Sequence, residues 1–91
     1  MANERLLLVD DEDNLRSMLD AALRHVGFEV YPVATGREAL DAVAKVRPDL
    51  IVLDVMLPDL DGFQVCRRLR SEGSRTPVLF LTAREATDDK V

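Results

Sequence analysis

The chain has 91 residues and a formal net charge of −5, with 47% hydrophobic and 32% charged residues, which fits one small domain with a real core and a wet surface. The acidic balance argues against nucleic-acid binding through this segment, and no apolar run approaches the roughly 20 residues of a membrane span. Met1 to Arg5 shows no signal-peptide pattern, and the single cysteine, Cys66, excludes an internal disulfide, so a reducing, cytoplasmic setting is expected.

Leu6 to Val9 is an unbroken apolar run, too short for a helix, and reads as a buried strand. Asp10, Asp11, Glu12 and Asp13 follow it. Leu15, Met18, Leu19, Ala22, Leu23 and Val26 then recur at helical spacing. Acidic residues at the start of that helix suit its dipole, and Gly27 is its expected stop. Phe28 to Val33 reads as a second strand, and Glu29 and Pro32 put it near a sheet edge. Thr35 and Glu38 form a T-x-x-E capping box ahead of the stripe Ala39, Leu40, Val43, Ala44 and Val46, with Pro48 just beyond. Leu50 to Leu53 is a third strand that ends at Asp54. Met56 to Gly62 is loop-like, and Asp59 and Asp61 within it read as loop and cap residues. Val65, Cys66 and Leu69 give a short third stripe, and Gly73 and Pro77 bracket a turn. Val78 to Leu81 is a fourth strand with Thr82 at its end, and Ala83 to Val91 has the length for the first turns of a fourth helix.

The order is β-α-β-α-β-α-β, which predicts an α/β fold with a right-handed, doubly wound parallel sheet. The ligand site of such a sheet lies outside the carboxyl ends of the strands, at the topological switch point. Asp10 and Asp11 close strand 1 and Asp54 closes strand 3. In the flavodoxin-like strand order these strands are neighbours, so the three acids converge. Clustered carboxylates repel, and a hard divalent cation relieves that repulsion. Magnesium takes oxygen ligands, often one or two carboxylates with a phosphate. The pattern therefore suggests a Mg²⁺-dependent phosphoryl site. Asp54 is the best nucleophile, Asp10 and Asp11 are better placed as metal holders, and Thr82 can offer a hydroxyl to the phosphoryl group.

Plainer roles compete for each of these residues taken singly. First-turn acids also favour a helix, and Thr82 alone is an ordinary helix cap. His25 reads as a surface complement to its helix dipole and Cys66 as an inert core thiol. Arg67, Arg68 and Arg70 read as a solvated helix face.

Three motifs, L-L-L-V-D-D-E, L-I-V-L-D-V-M-L-P-D-L-D-G and P-V-L-F-L-T-A-R, resemble in order and spacing the receiver domain of bacterial two-component response regulators. The similarity runs from about Arg5 to the end, and its wording is most like the subfamily with a winged-helix DNA-binding effector (OmpR/PhoB type). The resemblance implies that Asp54 is the phosphoacceptor, supplied by a sensor histidine kinase. It implies that Asp11 binds Mg²⁺ directly, Asp10 mainly through water, and Met56 through its backbone carbonyl. Thr82 would be the switch hydroxyl, while Pro58 and Gly62 would shape the acceptor loop. Residues 1–91 would then be one truncated receiver domain of flavodoxin-like fold, lacking strand 5, its lysine and helix 5. Lys90, in the predicted fourth helix, is not placed to substitute for that lysine. An exposed strand 4 edge would invite homodimer or strand-edge pairing. The expected role is signalling that controls transcription, with no catalysis beyond the domain's own phosphorylation and dephosphorylation. Two alternatives stand beside it. One is a receiver-like interaction module or inactive fragment. The other is a Mg²⁺-dependent phosphohydrolase with an aspartyl nucleophile. Enzymes of the haloacid-dehalogenase type want a second aspartate two residues after the first, where this chain has Met56.

Overall fold

The structure is a computed structural model and describes residues 3–81. It holds β1 (Arg5–Val9), α1 (Asp13–Val26), β2 (Glu29–Val33), α2 (Gly36–Val46), β3 (Leu50–Asp54), α3 (Gly62–Ser71) and β4 (Val78–Leu81). The strands form one parallel sheet in the order β2-β1-β3-β4. The chain steps outward from β1 to β2 and then returns past β1 to β3. The winding direction therefore reverses between β1 and β3, as the doubly wound reading requires.

The sequence pattern explains this arrangement. β1 and β3 are interior strands with both faces covered, so their apolar runs are continuous rather than alternating. Leu7, Val9, Ile51 and Leu53 form one core with Ala39 of α2 and with Val65 and Leu69 of α3. Leu6, Leu8, Val30 and Val52 form the other, against Leu19 and Leu23 of α1. Truncating any fully buried leucine among these to alanine costs about 2–5 kcal/mol.

β2 is an edge strand, as expected, and starts at Glu29 rather than Phe28. Its outer edge is blunted. Pro32 has no N–H to offer, and the Val30 carbonyl accepts a hydrogen bond from Arg24 Nη2 at 2.9 Å.

Each helix departs from its predicted pattern. In α1, Leu19 and Leu23 pack on the sheet, while Met18 and Val26 remain 62% and 72% exposed, so the buried stripe is narrower than the periodicity suggests. Gly27 ends α1 at φ 121°, a left-handed conformation that favours glycine. In α2, Thr35 caps as expected, its Oγ1 accepting from Glu38 N at 3.1 Å. The Glu38 carboxylate instead accepts from Ala34 N, one residue before the partner a capping box would use. Ala44 is exposed, and Ala42 packs against the core in its place. The complete capping box belongs to α3, where Asp61 and Gln64 exchange side-chain and backbone bonds of 2.9 and 3.0 Å. Arg67 and Arg68 lie on a solvated face. Arg70 does not simply do so: its Nη1 donates to the carbonyls of Ser74 and Thr76 and closes the turn into β4. Cys66 is half-buried at the margin of the core rather than within it. Among the described residues, no helix is long and apolar enough to cross a membrane.

Candidate functional site

Asp10 follows β1 directly. Its backbone N–H donates to the Val33 carbonyl at 3.2 Å, which continues the pairing of β1 with β2 by one residue. Its side chain is buried, and Oδ1 accepts from Glu12 N at 2.9 Å. The Asp10 carbonyl in turn accepts from Arg16 Nη1 at 2.9 Å, which anchors the turn to the first coil of α1. Glu12 is the N-cap of α1, its carboxylate accepting from Leu15 N at 2.8 Å. The acidic run thus divides its labour. Glu12 and Asp13 serve the helix start, while Asp10 and Asp11 stay at the strand end.

Asp54 is the last residue of β3 and pairs in register with Leu81 of β4. It is 5% exposed, and its Oδ1 accepts from Met56 N at 3.2 Å. Asp10, Asp11 and Asp54 each offer a carboxylate oxygen, and these oxygens lie within 4.8 Å of one another. Two of the three acids are buried and Asp11 is exposed, so the cluster opens to solvent on the Asp11 side. The site lies at the carboxyl ends of two neighbouring strands, at the switch point. The donor set fits a hard divalent cation: it consists of oxygen atoms alone, carries formal negative charge, and is held by strand ends and backbone bonds.

Met56 lies beside the acids in the loop after β3. Gly62 lets that loop turn tightly into α3. Its N–H donates to the Val55 carbonyl at 2.7 Å, and a Cβ there would lie 2.7 Å from the Asp54 carbonyl oxygen and 2.9 Å from Val55 Cα. Thr82, Lys90 and the expected fourth helix fall outside the described residues.

Asp59 has more to do than a loop residue of the sequence pattern. Burial alone would push its carboxyl up. The N–H groups of Gly36, Arg37 and Leu60 outweigh burial together and hold the carboxyl below the ordinary value. No local signal reveals that junction, because its partners lie 22 and 23 residues away in sequence.

Residues 6–91 match the profile of the response regulator receiver domain. The chain is 49% identical over 87 residues to the response regulator MprA of Mycolicibacterium vanbaalenii and 48% identical to that of Mycobacterium avium. Each match covers 96% of this chain and 38% of the relative, so the chain spans well under half the length of these relatives. Among solved structures, one similar fold is the receiver domain of the sensor histidine kinase PA1611 from Pseudomonas aeruginosa, which has a magnesium ion coordinated in its active site cleft. It has a TM-score of 0.87 and 34% identity, covering 98% of this chain and 75% of that one. A second is the chemotaxis response regulator CheY4 of Vibrio cholerae, with a TM-score of 0.81 and 33% identity over 93% of this chain and 77% of that one. A third is the BeF3-activated receiver domain of Klebsiella pneumoniae RstA, with a TM-score of 0.79 and 30% identity over 84% of this chain and 64% of that one.

Proposed function

The chain belongs to the response regulator receiver domain family, and from that premise we propose that it accepts a phosphoryl group on Asp54 from a sensor histidine kinase. The observation that carries this reading is the meeting of Asp10, Asp11 and Asp54 oxygens within 4.8 Å at the carboxyl ends of β1 and β3. Asp54 Oδ attacks the phosphorus of a phosphohistidine. A P–O bond forms as the P–N bond breaks, and the imidazole leaves with the electron pair. The bond from Met56 N to Asp54 Oδ1 orients the nucleophile before attack.

Asp11, Asp54 and the Met56 carbonyl would hold Mg²⁺, with Asp10 acting mainly through water. The ion supplies neutralisation of the phosphoryl charge. The buried Asp10 carboxylate, fixed by Glu12 N, keeps the acidic wall of the site in place. Thr82 is assigned as the switch hydroxyl that meets the phosphoryl group. The resulting shift after β4 would carry the signal to a DNA-binding effector of OmpR/PhoB type. Residues 1–91 act as receiver sequence throughout, in the cytoplasm. The Mg²⁺ likeness to PA1611 and the activated state of RstA support the same chemistry by analogy.

A Mg²⁺ titration with and without beryllofluoride, a phosphoryl mimic, tests this reading. The wild-type chain is expected to bind Mg²⁺ more tightly with the mimic present, and Asp54→Asn to lose that enhancement. Equal Mg²⁺ binding in all four conditions would support a receiver-like interaction module instead.

A further inference from the structure

We propose that Asp59 is a positioning residue for the acceptor loop, clasping the loop to the N-terminus of α2 and so fixing where Met56 presents its backbone to the metal site. The inference rests on the reading of Asp54 as phosphoacceptor, and it assigns a function to a contact between segments remote in sequence.

Both oxygens of the Asp59 carboxylate are engaged. Oδ1 accepts from Gly36 N at 2.8 Å and from Leu60 N at 2.9 Å, and Oδ2 accepts from Arg37 N at 2.9 Å. Gly36 and Arg37 are the first two residues of α2, so the carboxylate meets the positive end of a helix dipole with its donors pointing at it. A second observation marks the same junction. A Cβ on Gly36 would lie 3.0 Å from Leu60 Cβ, 3.1 Å from Val65 Cγ2 and 3.2 Å from Asp59 Oδ1. The loop and the helix are therefore matched both by hydrogen bonding and by close approach.

The consequence for the site follows from the short span of the loop. It leaves β3 at Asp54 and is held there by Met56 N on Asp54 Oδ1. It enters α3 at Gly62, held by Gly62 N on the Val55 carbonyl. Asp59 fixes the middle, three residues after Met56. Groups that orient a metal's ligands without touching the metal typically change its affinity by about 10–100-fold when removed. Asp59 stands in that relation to Met56.

Mg²⁺ affinity of the full chain, measured by calorimetry well below the unfolding temperature, tests the assignment. Asp59→Ala is expected to weaken binding about tenfold. Asp59→Asn keeps an oxygen for Gly36 and Leu60 but sets an amide against Arg37 N, so its loss should be smaller. A pure effect of lost charge would make the two variants equal, and that result overturns the proposal. Gly36→Ala, which alters no charge, should weaken binding by forcing the loop from the other side. Lower thermal stability with wild-type Mg²⁺ affinity in Asp59→Ala would reduce Asp59 to a structural cap and also overturn the proposal. If Asp59→Ala fails to fold, wild-type affinity in both Asp59→Asn and Gly36→Ala does the same. No Mg²⁺ binding by the wild-type chain would instead overturn the acidic-site reading itself, and the positioning role with it.

Discussion

Two aspartates five positions apart can serve opposite ends, and Asp54 with Asp59 in the loop after β3 is such a pair. Asp54 is buried at a strand end and aimed into an acidic cluster, whereas Asp59 is exposed and aimed at helix donors. The Asp59 proton equilibrium is linked to folding. Its native carboxyl sits below the ordinary value, so the folded state binds that proton less tightly than the unfolded chain. The stabilisation is therefore present above the unfolded pKa and is lost as pH falls through the depressed native one. Asp59→Ala should cost about 0.3–1 kcal/mol near neutral pH, the worth of an exposed carboxylate at a helix N-terminus. Urea unfolding of both proteins at neutral and acid pH checks this: the gap should close on acidification, and a constant gap would count against the linkage. At this scale the sequence was only partly informative. Asp10, Asp11 and Asp54 stand out because each lies where an apolar strand stops. Asp59 does not, because its partners Gly36 and Arg37 become neighbours only after α2 and the loop are brought together. Arg70 shows the same limit, since its turn contacts cannot be told from a solvated face by spacing alone.

Element boundaries rest on short local contests that a pattern resolves unevenly. The strands were legible because interior parallel strands must be apolar on both faces, and β1 and β3 are. The α2 start was legible in Thr35 but not in the exact partner of Glu38, since a shift of one residue is invisible in T-x-x-E. The helix stripes that periodicity marks are wider than the buried ones, because periodicity reports which side is apolar and not how much of it the sheet covers. Met18 and Val26 fall on the uncovered part. The junction of β3 with α3 depends on Gly62, where a methyl group has backbone rather than a flexible side chain in its way. Gly62→Ala should cost about 1–3 kcal/mol, the range of an overpacked site. It should also weaken Mg²⁺ binding, because the strain falls on the Asp54–Val55 backbone. Chemical unfolding together with Mg²⁺ titration checks both effects. A variant that keeps wild-type stability would show that the loop has slack the geometry does not suggest.

Over the whole molecule, one topological fact organises the chemistry. β1 and β3 are adjacent although α1, β2 and α2 lie between them in sequence, so two separated apolar runs deliver their terminal acids to one point. That convergence was readable once the β-α alternation was taken with the flavodoxin-like strand order, without any detail of side-chain packing. Beyond Leu81, the sequence offers Thr82 as a hydroxyl at a strand end and the resemblance adds its switch role, while Thr82 itself falls outside the described residues. Intact-mass spectrometry of the full chain after incubation with acetyl phosphate tests the central claim most directly. The wild-type chain is expected to gain one phosphoryl group when Mg²⁺ is present and little without it, and Asp54→Asn to gain none. Uptake by Asp54→Asn equal to wild type would contradict the assignment of Asp54 as the acceptor.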